Sequence, residues 1–148
     1  MTTGLYGADR VIIGADENTR PSRAGVEGVL AFLPIFEDPR FLPEVVVEER
    51  EWPFEQYTRE VYEFERTLYR TGFIVRFDWG PWEKEAVAYY REPARLDGAD
   101  CGVIRRLLTF HVRKNVGCEG HLAQMLREGH IQAILRRLES LADAGLSE

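Results

Sequence analysis

The sequence predicts a mostly α fold, α+β only through a minor β element: a compact single-domain helical fold with a short strand or hairpin. Three observations carry that expectation. Apolar residues recur at spacings of three and four, the period of an amphipathic helix, through most of the chain. The run Glu44 to Trp52 holds three consecutive β-branched residues, Val45 to Val47, followed by mixed charge. With 148 residues, 45% hydrophobic and 11% aromatic content, the chain is large and apolar enough for one core without disulfides or a structural metal.

Residues 1–22 mix Gly, Asp, Asn, Ser and Pro around one apolar island, Val11-Ile12-Ile13, and read as a mobile arm with one strand-like piece. The helical domain is expected over residues 23–143, followed by a short tail at 144–148. Val26, Val29, Leu30 and Leu33 mark its first helix, bounded by Pro34 and Pro39. Glu44 to Trp52 reads as a strand or hairpin edge ending at Pro53. Tyr57, Val61, Phe64 and Leu68 form the stripe of the next helix, which Gly72 is placed to stop.

F-I-V-R-F-D-W is a short apolar connector, and Asp78 is a candidate cap for a helix from Pro81 and Trp82 to about Tyr90. Ile104, Leu107, Leu108 and His111 align on a helix ending between Asn115 and Gly117. Leu122, Met125 and Leu126 continue the pattern to Gly129, and Ile131, Ile134, Leu135, Leu138 and Leu141 mark a final helix.

No apolar run reaches the roughly 18 residues of a membrane span, and M-T-T-G-L-Y-G-A-D-R lacks the features of a signal peptide. A cytoplasmic location is therefore expected, and two cysteines, Cys101 and Cys118, suit a reducing compartment. The net charge of −6 is unevenly spread. Between Gly102 and Leu138, seven basic side chains meet only Glu119 and Glu128, whereas between Glu37 and Glu65 ten carboxylates meet three arginines. These halves either attract each other within the domain or face charged partners. The overall acidity argues against nucleic-acid binding, which draws on a basic stripe.

The phrases P-F-E-Q-Y-T-R-E-V-Y-E-F-E-R-T-L-Y-R-T-G-F, F-D-W-G-P-W, L-L-T-F-H-V-R-K-N-V-G-C-E-G-H-L and G-H-I-Q-A-I-L-R-R-L follow in order. In these the chain resembles the bacterial "domain of unknown function 6508" family from roughly Glu27 to Leu138. The resemblance implies no activity, cofactor or catalytic residue. Where members often read R-x-x-R-F-C-E-G, Arg113, Cys118, Glu119 and Gly120 match, while Val116 and Gly117 replace an Arg-Phe pair.

All three histidines lie in the Gly102 to Leu138 block, where site and packing compete for the same residues. His111, Cys118, His121 and His130 supply the nitrogen and sulfur ligands of a tetrahedral zinc site. Their spacing, H-x6-C-x2-H-x8-H, matches no specific zinc pattern, and His111 falls on an apolar stripe, so neither metal nor cofactor is expected. Cys118, with His111 or His121 as base, makes a nucleophile pair that no family-specific motif surrounds. Arg113, Lys114, Glu119 and His121 flank a glycine-bearing turn. There they form an anion pocket or, as the favoured alternative, serve the two helix ends.

His111, Arg113, Lys114, Cys118, Glu119 and His121 together are thus the candidate ligand or anion site. Trp79, Trp82, Tyr89 and Tyr90 are the candidate partner surface, weighed against an ordinary role in the core; of the adjacent tyrosines, at least one should meet solvent. There is no phosphate-binding Walker loop, dinucleotide fingerprint, H-E-x-x-H or G-x-S-x-G. The expectation is a non-catalytic binding module for another protein, with self-association left open. The alternative is a small enzyme, or an anion- or metal-ligand-binding protein, using the turn around residues 111–121.

Overall fold

The computed structural model describes residues 14–47 and 54–145. A two-residue strand, β1 (Ala15–Asp16), precedes α1 (Arg23–Leu30). Ser22 caps α1, its hydroxyl accepting from the Gly25 N–H at 3.0 Å. A second helix, α2 (Leu33–Glu37), follows at once. Pro34 therefore does not end the first helix, as expected from sequence, but sits in the first turn of the second, where a missing N–H costs nothing. Pro39 lies beyond its end.

The β-branched run forms β2 (Glu44–Val47), paired antiparallel with β3 (Phe54–Tyr57) from Glu44↔Tyr57 to Val47↔Phe54. The expected remainder of the strand, through Trp52 to Pro53, lies outside the described residues. Tyr57 was expected on a helical stripe and instead closes the hairpin. The next helix, α3 (Arg59–Arg70), starts only after Thr58, whose N–H bonds the Pro43 carbonyl at 3.0 Å. Strand pairing overrides the helical spacing here, because each paired residue satisfies backbone groups that a fraying first turn leaves open. Val61, Phe64 and Leu68 keep the predicted stripe and are fully buried.

Gly72, at φ +80°, stops α3 in the left-handed conformation that glycine tolerates. The apolar connector then yields β4 (Val75–Arg76), parallel to β1, with Phe73 and Ile74 fully buried before it. Helix α4 (Glu83–Arg91) has no side-chain cap, so Asp78 does not take the role expected of it. Gly80 and Trp79 carbonyls accept from the Glu83 and Trp82 N–H groups instead. A 3₁₀ turn over Pro93–Gly98 leads to α5 (Cys101–Gly117), capped by Asp100 at 2.9 Å from the Val103 N–H. Two further helices, α6 (His121–Arg127) and α7 (His130–Asp143), complete the order.

Helix α5 runs through the middle, buried almost without interruption from Ile104 to Val112, and packs on α4, α6 and α7. Phe32, Phe36, Phe41 and Phe64 lock α1 and α2 onto α3, with ring centroids 5.0–5.8 Å apart. None of the helices among the described residues is long and apolar enough to cross a membrane.

Two polar groups on the buried face of α5 carry long-range ties. The Thr109 hydroxyl accepts from the Val75 N–H at 2.9 Å and donates to the Phe73 carbonyl at 3.3 Å. Arg105, 3% exposed, donates to the Gly72 carbonyl at 2.8 Å and to the carbonyls of Asp16, Glu17 and Thr19. Residues 16–19, within the stretch read from sequence as an arm, are thereby fastened to the centre of the domain.

Arg105→Met should lower unfolding free energy by about 3 kcal/mol, since it strips several charge-assisted hydrogen bonds at once. Urea denaturation measures the loss, and limited proteolysis should show new cleavage between residues 16 and 20. Unchanged stability would show that the guanidinium is not the tie.

Candidate functional site

His111 lies on the buried face of α5 and is 3% exposed. His121 and His130 are the first residues of α6 and α7, and each follows a glycine held at positive φ, Gly120 at +89° and Gly129 at +80°. Only glycine adopts that conformation at low cost, so the chain can reverse direction within a residue and aim both imidazoles back at α5. Three rings separated in sequence thus meet between three helices.

The Nδ1 of His111 and the Nε2 of His121 are 2.9 Å apart. Their ring planes differ by 22° and their centroids are 5.1 Å apart. That separation is close to the N···N distance plus two ring radii. The rings therefore meet edge to edge through one N–H···N bond, and do not stack face to face. His130 stands perpendicular to His111 at 5.0 Å, and the Tyr90 ring packs edge-on against His130 at 5.3 Å. The Nε2 atoms of His111 and His130 are buried without a hydrogen-bond partner.

Burial removes the water that would solvate an imidazolium, and it is the main cause that lowers all three pKa values. His111 lies well below its ordinary value, pushed further by His130, His121 and Lys114. His121 is lowered by burial and then by Lys114, while His130 falls to about 4, with His121 as the second cause. The N-terminal ends of α6 and α7 disfavour positive charge in the same direction. At neutral pH the cluster is uncharged.

The loop between α5 and α6 is held by Asn115. Its side-chain oxygen accepts from the Leu122 N–H at 3.0 Å, supplying α6 with the cap that Gly120 has no side chain to provide. The Tyr57 hydroxyl of β3 donates to the same oxygen. Lys114 reaches Glu83 of α4 at 3.0 Å and lies over the Phe110 ring. Arg113 is half-buried; Cys118 and Glu119 are exposed.

Of the six candidate ligand or anion residues, the fold joins His111 and His121 directly and sets Lys114 beside them in an ion pair. Cys118 and Glu119 are on the exposed turn. Among the zinc candidates, His111 and His121 point their nitrogens at each other, leaving no gap for an ion between them, and Cys118 is exposed. No metal-holding group of three or more His, Cys, Asp or Glu occurs among the described residues. His111 spends Nδ1 on His121, so the exposed Cys118 thiol does not have that nitrogen as a base.

The aromatic candidates all pack against the core and are half-buried. Trp79 lies edge-on to Phe110 at 6.0 Å, and Trp82 to Phe77 at 5.7 Å, with the Arg106 guanidinium over both Phe77 and Trp82. Tyr89 and Tyr90 both keep some contact with solvent, and the Tyr90 hydroxyl bonds Glu128.

Sequence reasoning missed the parts played by Asn115, Tyr57 and Tyr90, which come from distant segments. A signal for His130 was available: Glu-Gly-His occurs twice, at 119–121 and 128–130, nine positions apart. Two identical helix starts on either side of one short helix place both histidines on the same neighbour.

The depressed values fix the sign of a pH effect. The unfolded chain, with ordinary histidines, binds more protons than the folded one between about pH 6.5 and 4. Stability should be full above pH 6.5 and fall as the pH drops toward 4, with His130 alone accounting for a loss on the order of 3 kcal/mol. Urea unfolding of wild type and His130→Leu from pH 7.5 to 4.5 measures this. The variant should have the shallower dependence, and parallel curves would contradict the assignment.

No curated protein and no solved structure matches the chain. A family model does, over residues 21–144, which takes in every helix among the described residues and the whole histidine cluster. The chain belongs to the Family of unknown function (DUF6508).

Proposed function

We infer that this protein is a non-catalytic module that binds an extended, basic segment of another protein. The observation that carries this reading is a cleft of about 540 Å³ with a mixed polar and apolar lining, beside an open strand edge. Phe36, Phe41, Leu42, Pro43, Leu126 and Gln132 line the cleft. Leu42 is 62% exposed at its rim, more than any other large apolar residue among those described. The Gln132 amide donates to the Phe36 and Leu126 carbonyls, which fixes its orientation and leaves its own buried oxygen unpartnered.

Ion-paired residues share the lining: Asp38 pairs with Arg40, Glu37 with Arg136, and Arg127 with Glu44. Apolar anchors such as Leu42 and Phe41 beside charged groups suit a protein interface. Strand β2 begins at Glu44 on the same rim, and its outer edge is unpaired among the described residues. An added strand there would gain main-chain hydrogen bonds while one side chain enters the cleft. The carboxylate excess between Glu37 and Glu65 favours lysine and arginine in that segment.

Selection from a random peptide library should enrich apolar residues flanked by Lys or Arg. Leu42→Asp should weaken the selected peptides at least tenfold, about 1.4 kcal/mol, without lowering the melting temperature. Replacing the basic residues of the peptide by Glu should do the same. Peptides that bind Leu42→Asp as well as wild type would sink the reading.

The alternative, a small enzyme or ligand site at residues 111–121, is favoured by one observation, the convergence of three imidazoles with two unpartnered nitrogens. A thermal-shift panel of zinc, chelator, phosphate and nucleotides separates the two. A clear shift that disappears in His121→Gln would favour the alternative.

A further inference from the structure

We propose that α6 is an acid-released latch, hinged at Gly120 and Gly129 and undocked from α5 when the histidine cluster takes up more than one proton. The hinges are the two positive-φ glycines that bound this seven-residue helix.

A single N–H···N bond joins His111 to His121. One added proton is tolerated, because an imidazolium still donates to a neutral imidazole. A second sets N–H against N–H at 2.9 Å, and a proton on His130 puts a further charge against the His111 ring. Of the charged and titratable groups facing the cluster, Glu83 favours a proton on His121 and Glu128 one on His130, each by less than burial and the positive neighbours oppose it. From α5, Lys114 repels the charged cluster; from α4, Glu83 is engaged by Lys114. From the turn before α7, Glu128 is engaged by the Tyr90 hydroxyl of α4 and by Gln124 of α6. Neither carboxylate is free to bind an imidazolium.

Opening α6 places His121 in water and brings water to His111 and His130, so the open form binds protons that the closed form excludes. Release is therefore steep in pH. What else holds α6, the Asn115 oxygen on the Leu122 N–H and the burial of Leu122, Ala123, Met125 and Leu126, does not titrate and sets the stability of the closed form near neutrality. Leu126 and Arg127 also wall the peptide cleft, so release would couple acid to binding; that consequence rests on the reading above, whereas the latch does not.

Hydrogen exchange of the full chain from pH 7.5 to 5, expressed as protection factors, tests the latch. Residues 121–128 should lose protection by more than tenfold per pH unit below about pH 6, since more than one proton is taken up. Residues 104–110 of α5 should lose much less. In His121→Gln, which can still hydrogen-bond His111, the pH dependence of 121–128 should fall to tenfold per unit or less. Equal loss in 121–128 and 104–110, or none in 121–128, overturns the proposal from wild type alone. A dependence unchanged in His121→Gln overturns the role of the pair.

Discussion

Everything in this fold is organised by one constraint: α5 is buried nearly all round, yet carries polar groups that burial obliges to find partners. Arg105, Thr109 and His111 lie on its enclosed stretch. An unpaired buried donor costs about as much as several well-made hydrogen bonds contribute. Each of the three therefore fixes a different part of the chain. Arg105 holds residues 16–19 and the Gly72 turn, Thr109 holds the Phe73–Val75 connector, and His111 holds the start of α6. The apolar residues of α5 supply the driving force for burial, and its polar ones decide which segments lie beside it.

The opposed charges of the sequence are resolved in large part within the molecule. Arg106, Lys114, Arg127 and Arg136, all from the basic block, pair with Glu17, Glu83, Glu44 and Glu37, all outside it. Exposed pairs of this kind contribute little each, typically up to about 1 kcal/mol. Their value is in register: they align α5, α6 and α7 with the N-terminal segment, α4, β2 and α2. Two more bases of the block, Arg105 and Arg137, are used on backbone carbonyls.

The histidine cluster follows the same logic with a less complete outcome. Gly120 and Gly129 turn the chain tightly enough to start two helices against α5, but a glycine cap has no side chain to offer the first N–H groups. Asn115 lends an oxygen to α6, and the imidazoles meet one another with two ring nitrogens left over. Such a site is neutral and packed at pH 7, and each proton beyond the first must be placed in a buried neighbourhood beside Lys114 and an imidazole that already carries charge. Its response to acid is a consequence of how the helices were brought together.

The helices, their order and most of the buried stripe were legible in the sequence, because the period of three and four is set by residues within one turn of each other. Val61, Phe64 and Leu68, or Ile104, Leu107 and Leu108, needed no knowledge of their neighbours. Tyr57 misled because its spacing suited a helix while a strand across the hairpin claimed its backbone. Pro34 and Asp78 misled because a cap or a stop depends on where the adjacent element begins. The sites were less legible: the Arg105 carbonyls lie up to 89 residues away, and Asn115 meets Tyr57 across 58. By itself, the sequence determined the fold class, the helical faces and the segment holding all three histidines. Only the tertiary structure decided that those histidines touch and that Cys118 is exposed, because such pairings depend on how buried helices satisfy each other's polar groups, which no local period encodes.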